Sequence, residues 1–338
     1  MPNNVYTALP SLACIVLYER PLKTILTKMK YKNILILAFL TSFAACKNDK
    51  EVSHDKTGYI EINDSKHFYQ ITGTGDTLII LHGGPGLSHQ YMKPQLSQYL
   101  SSNFTLLYYD QRGSGWSDGE NDTTKLNMES FVQDLDGIRN HFNIDKVNLL
   151  GHSFGGLLAM HYAIEYPGKV NSLILVDTDA ASYELRTPYQ RKMINSRISE
   201  TQEEYLDSLS ETTAFKNHDP STYDKYYKTF LTSYFANPLD TVNLTLGFDS
   251  ISVPKIRITG RYVRANLGKY DIHDQLSKIN CRTLIMQGTE SVFSVEGAIA
   301  IHQRIPNSEI HLFEKCGHFQ YIEYPNKFKD LIFDFYKT

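Results

Sequence analysis

The sequence predicts an α/β protein: a mostly parallel eight-stranded sheet with helices on both faces and a helical cap inserted before the last strands. Two observations carry this reading. Short, continuous apolar runs at 77–81, 105–109, 147–150, 172–176 and 283–286 lack polar alternation, as strands buried on both faces do. Helical periodicity follows several of them, so strands and helices alternate along the chain.

The elements follow in order. Residues 58–62 and 67–71 predict a hairpin, and 77–81 and 105–109 predict buried strands. Asn127 can cap a helix in which Met128, Phe131, Val132, Leu135, Ile138 and Phe142 share one apolar face. Residues 147–150 form a strand that enters Gly151-His152-Ser153-Phe154-Gly155-Gly156, and the next residues have small and apolar groups at helical spacing. Residues 309–313 make the last strand and 328–336 a closing helix. Between these, 180–276 is rich in charge and aromatics without strand alternation, which predicts the cap. Most of its aromatics, among them Tyr183, Tyr189, Phe215, Tyr226, Tyr227, Phe230, Tyr234 and Phe235, are expected to form its own core, with a minority facing the site. The sheet domain then comprises 58–179 and 277–338.

At 338 residues the chain can bury a full core, and its formal net charge of -3 with scattered Lys and Arg does not point to nucleic acid. The four cysteines, Cys14, Cys46, Cys281 and Cys316, show neither a disulfide framework nor metal-ligand spacing. Cys281 precedes one predicted strand and Cys316 follows its neighbour, at opposite ends of a parallel pair, so they are expected to be unbonded. No metal or cofactor is implied.

The N-terminus predicts export. A basic stretch at 28–32 precedes an apolar run of about a dozen residues, which suits a signal-peptide core and is too short to span a bilayer. The run ends in Ala44-Ala45-Cys46 before polar residues, resembling a bacterial lipoprotein signal in which Cys46 is lipidated and 1–45 removed. Residues 46–57 then form a tether to a membrane-anchored protein of the cell envelope. Residues 1–28 fit no part of such a signal, whereas a start at Met29 gives the usual short basic region.

The chemistry gathers at strand ends. Gly-His-Ser-Phe-Gly between a strand and a helix is the arrangement that exposes a serine nucleophile on a tight turn, here Ser153. His82-Gly83-Gly84-Pro85-Gly86 follows a strand and leaves backbone N–H groups free to face a developing oxyanion; Gly84 and Phe154 are the expected donor pair. Asp110 and Arg112 follow the next strand and are expected to brace the surrounding loops. His318, in a glycine-preceded loop after the last strand, is the histidine placed to reach Ser153, while His82 and His152 flank it in backbone-shaping motifs.

Together HGGPG at 82–86, DQRG-S-G at 110–115, GHSFGG at 151–156 and the closing His318 resemble the α/β-hydrolase superfamily, and within it the proline iminopeptidase group of serine peptidases. The resemblance implies an enzyme acting through a Ser-His-acid triad on the N-terminal prolyl bond of short peptides. A carboxylesterase, or a non-catalytic binding protein on the same fold, is the alternative. The resemblance places the acid as an aspartate in a G-x-x-D stretch, but Gly288-Thr289-Glu290-Ser291 has serine there. Glu290 is the first candidate, Asp177 or Asp179 at the end of the preceding strand the second, and no acid the third. Asp249 corresponds to a cap carboxylate that would hold the substrate's free amino group.

Overall fold

The computed structural model describes residues 55–337. The segments expected to form a signal sequence and tether, with Cys46, lie outside the described residues up to residue 54. The sheet has eight strands in the order β1-β2-β4-β3-β5-β6-β7-β8. β1 (Lys56–Ile62) and β2 (Ser65–Thr72) form the antiparallel hairpin, with β1 starting two residues earlier than expected. β2 pairs antiparallel with β4 (Phe104–Tyr109), and β4 pairs parallel with β3 (Asp76–Leu81). From there β5 (Val147–His152), β6 (Val170–Val176), β7 (Arg282–Gly288) and β8 (Ser308–Phe313) run parallel. The carboxyl ends of β3, β5, β6 and β7 therefore share one edge, where an open parallel sheet binds ligands.

Side-chain alternation splits the core in two. Ile79, Leu81, Leu149 and Leu173 join helices on one face, and Leu78, Ile80, Leu150 and Ile174 on the other. All eight are fully buried, and each such side chain contributes about 1.5–3 kcal/mol relative to exposure. The first face is covered by α2 (Met128–His141) and α3 (Phe154–Glu165), the second by α1 (Lys93–Leu100) and α11 (Pro325–Lys337). Asn127 caps α2 by accepting from the Ser130 N–H, and Phe131, Val132, Leu135 and Ile138 are the buried stripe.

The segment between β6 and β7 is helical. α4 (Tyr183–Arg197), α5 (Glu200–Glu211), α6 (Thr213–Lys216), α7 (Pro220–Leu231) and α8 (Val253–Leu267) start at Ser182, Ser199, Thr212, Asp219 and Ser252. All but the last of these accept a bond from the helix's free N–H groups, satisfying donors that would otherwise be orphaned. The sheet resumes at β7, followed by α9 (Val295–His302), β8 and α10 (Gln320–Glu323). Cys281 and Cys316 are free thiols. No described helix is long and apolar enough to cross a membrane.

Candidate active site

Ser153 sits between β5 and α3 with φ 57° and ψ -124°, a conformation L-residues rarely adopt. The turn closes because its neighbours lack side chains: a Cβ on Gly155 would collide with the Leu81 carbonyl, and one on Gly83 would lie 2.6 Å from Ser153 Cβ. The HGGPG loop thus packs directly against the serine. The N–H groups of Gly84 and Phe154 make no hydrogen bond among the described residues, and both residues line the cavity that holds Ser153 and His318. This is the placement expected of an oxyanion hole.

His318 is pinned through its backbone. Its N–H donates to the Tyr234 carbonyl of the cap at 2.8 Å, and its carbonyl accepts from His152 Nε2 at 2.9 Å. With Nε2 donating, His152 Nδ1 accepts from Tyr91 Oη at 2.7 Å, and Tyr91 in turn accepts from the Gly83 N–H at 2.6 Å. One buried chain therefore ties the oxyanion loop, the residue before the nucleophile and the histidine loop. His82 plays a similar part, accepting from the Gln111 N–H at 3.1 Å while Gln111 Nε2 donates to the His82 carbonyl at 2.8 Å.

The carboxylate beside His318 is Asp177, whose Oδ1 lies 3.5 Å from the ring Nδ1. Ser291 Oγ lies 3.4 Å from the same nitrogen. Asp177 has φ 41°, so the chain turns sharply just beyond β6 and points this side chain across to β7. Gln287 Nε2, Gln320 Nε2 and the Gly288 N–H all donate to it. The expectation for Glu290 is corrected. The tight turn after β7, fixed by Glu290 N–H to Cys316 carbonyl at 2.9 Å, faces Ser291 inward, while the half-buried Glu290 carboxylate forms no hydrogen bond or ion pair with His318 among the described residues. Asp179 is also diverted, its Oδ2 accepting from Arg186 Nε at 2.8 Å.

The remaining sequence candidates have structural partners. Asp110 accepts from the His89 ring and from the N–H groups of His89 and Trp116. Arg112 forms a bidentate pair with Asp134 and a further bond to Glu120, bracing the loops as expected. Asp249 does not line the cavity: its oxygens accept from Trp116 Nε1, Ile251 N–H and Ser252 N–H, so it orders the entry to α8 and is not open to a substrate amine. The cap aromatics also differ from expectation. Tyr226, Tyr227, Phe230 and Tyr234 line the cavity, half of those named, while Phe215 and Tyr223 pack in the cap core.

Burial sets the electrostatics. Loss of water pushes His318 down to about 3, so its imidazole is neutral at pH 7. The same loss pushes Asp177 up to about 7, against hydrogen bonds from Ser291, Gly288 and Gln320 that favour its charged form. Stability should follow. Burial also lowers His82, brings His152 to about 3 and His161 to about 4, against an ordinary 6.5. Below pH 6.5 the unfolded chain binds protons at these four histidines that the folded chain refuses. Their contribution is complete above pH 6.5 and lost on acidification. Asp177 and Glu323, raised to about 7 by burial, oppose this between about pH 7 and 4.5 because the folded state keeps their protons. Four groups outweigh two, so the melting temperature should fall as pH drops from 6.5 to about 4.5. Calorimetric scans showing it rise over that range would refute the burial of neutral histidines.

The family model for the alpha/beta hydrolase fold matches residues 76–325. The chain belongs to this family. It is 30% identical over 298 residues to the proline iminopeptidase of Saccharolobus solfataricus, covering 81% of this chain and 89% of the relative. Among solved structures, proline iminopeptidase from Mycobacterium smegmatis superposes with a TM-score of 0.63 at 20% identity, covering 83% of this chain and 97% of that one. The esterase EaEST from Exiguobacterium antarcticum gives 0.63 at 26%, covering 84% and 100%. With these relatives and this family, the α/β hydrolase described here is a serine hydrolase.

Several α/β-hydrolase site residues escaped the sequence reading. Gln287 and Gln320, which hold Asp177, and Tyr91, which holds His152, come from separate strands, turns and helices, and no local pattern marks them. Ser291 carried a signal: it occupies the place where the resemblance expects the acid, and its hydroxyl does reach the histidine.

Proposed function

We propose that this serine hydrolase releases N-terminal proline from short peptides, using Ser153, His318 and Asp177 as its triad. The observation that carries the chemistry is Ser153 on its strained turn, sharing one cavity with His318, Gly84 and Phe154. Similarity to proline iminopeptidases over most of the chain supports the substrate.

In this reading Ser153 Oγ attacks the acyl carbon while His318 Nε2 takes its proton. Asp177 steadies the resulting imidazolium from the Nδ1 side. The carbonyl oxygen, now an oxyanion, accepts from the Gly84 and Phe154 N–H groups. His318 then gives the proton to the leaving amine, the C–N bond breaks, and water repeats the sequence on the acyl-enzyme. For the substrate amine, Asp179 replaces Asp249 as candidate: it lines the cavity, and its Oδ1 has no hydrogen-bond partner among the described residues.

A carboxylester substrate is the second reading, favoured by the 26% identity to EaEST over 84% of the chain. Assaying the purified protein side by side on prolyl-naphthylamide and p-nitrophenyl acetate tests both. Higher kcat/KM on the prolyl amide is expected; turnover of the ester alone would replace the peptidase reading with the esterase. We also infer export with a lipid on Cys46, supported by the apolar run that ends there. Mass spectrometry of the native protein should find an acylated N-terminal Cys46, and an unmodified Cys46 still joined to Ala45 would end that reading.

A further inference from the structure

The cavity is large, about 1100 Å³, and the cap's share of its wall is cationic. Arg257, Arg261 and Arg264 lie at spacings of four and three residues on α8, hence on one helical face, and all three line the cavity. Each lining carboxylate has an arginine partner, Asp179 through Oδ2 with Arg186 at 2.8 Å and Glu120 with Arg112 at 2.8 Å. No carboxylate lies within ion-pairing distance of the three α8 arginines among the described residues. Arg257 sits over the Phe215 ring at 5.6 Å and Arg261 over Tyr262 at 5.8 Å. Arg264 has neither a ring nor an ion pair among the described residues. Its guanidinium is held below the ordinary arginine value, first by surrounding protein that displaces water and then by the like charge of Arg186.

Like charges gathered around a cavity whose carboxylates pair with other arginines favour an anionic occupant, and a guanidinium fork matches a carboxylate in geometry. We propose that the site selects substrates carrying a carboxylate, which Arg264 and Arg261 bind while the scissile acyl group lies at Ser153. This rests on the serine-hydrolase chemistry above and adds the substrate's charge. The carboxylate has two possible sources: the C-terminus of a dipeptide, on the leaving-group side, or a dicarboxylic acyl group.

Two substrate pairs separate them. The first is Pro-Gly against prolyl-glycinamide, the second the p-nitrophenyl monoester of glutaric acid against p-nitrophenyl valerate. A charge-assisted bidentate contact should favour the acid by roughly tenfold or more in kcat/KM in one pair. The preference should shrink with added salt and fall to about unity in Arg261→Ala/Arg264→Ala. The ester pair still reports if no peptide is cleaved, so failure of the prolyl reading and failure of this one are distinguishable. Calorimetric titration of glutarate and of Pro-Gly into Ser153→Ala reads binding without turnover. Heat from one of them that vanishes in the Ser153→Ala/Arg261→Ala/Arg264→Ala protein supports the proposal. Neutral substrates equal to or better than acids in both pairs, or no heat from either ligand, overturns it.

Discussion

Ser153→Ala should lose nearly all turnover, by roughly 10³-fold or more in kcat, while the protein melts within a few degrees of the wild type. The expected loss follows from the site's connectivity. The substitution removes the only atom at the turn able to attack a carbonyl, and it leaves the Gly84 and Phe154 donors in place. Residual catalysis from such donors and from binding alone is small beside that of a complete triad. The fold should tolerate the change because Ser153 Oγ makes no hydrogen bond among the described residues: the turn is closed by backbone bonds, Ser153 N–H to Val176 carbonyl at 3.1 Å and Asp179 N–H to Ser153 carbonyl at 3.1 Å. Alanine meets the same strain at φ 57° that serine already meets. Steady-state kinetics with a matched thermal melt decides it, and more than a few per cent of wild-type activity would refute Ser153 as the nucleophile.

What the sequence disclosed and what it hid divide along a physical line. Strands and elbow were legible because their signals are local. Continuous apolar runs demand burial on both faces, and glycines two residues either side of Ser153 are needed wherever a strand and helix crowd. Cap helices were legible as a class through charge and missing alternation, but not their wall, since Arg186, Tyr234 and Arg264 meet only after the cap folds over the sheet. The acid was the hardest. From sequence, Glu290 stood nearest the expected place, and a one-residue offset looked bridgeable by its longer arm. The turn after β7 faces consecutive residues in different directions, so Ser291 inward means Glu290 outward. Asp177 reaches the ring from the neighbouring strand because β6 and β7 end side by side, paired as far as Val176 with Met286. Strand adjacency of that kind is a property of the sheet and not of any stretch of chain.

Asp177→Asn should lower kcat by roughly 10⁴-fold with little change in KM, because the loss falls on the imidazolium formed in the transition state. The surroundings sharpen this. Asp177 accepts from two glutamine amides and a backbone N–H, and an asparagine amide would set donor against donor or offer its own N–H to His318 Nδ1. The latter forces the wrong tautomer on the general base. Glu290→Gln, by contrast, should change kcat by less than about threefold, as expected of a half-exposed residue away from the chemistry. Ser291→Asp alone should not help, since it sets a second carboxylate beside a buried one and raises the cost of ionising either. In the Asp177→Asn background the same change should restore part of the lost activity, because Ser291 Oγ already lies 3.4 Å from His318 Nδ1 and an aspartate there can take over the contact. The pattern to be read in kcat across the four proteins is severe loss, near-normal rate, no gain and partial rescue. Severe loss in Glu290→Gln with a mild effect in Asp177→Asn would return the acid to the turn after β7. Rescue is the more demanding outcome, for it requires that Asp177 act through His318 and not merely through the packing of the strand ends.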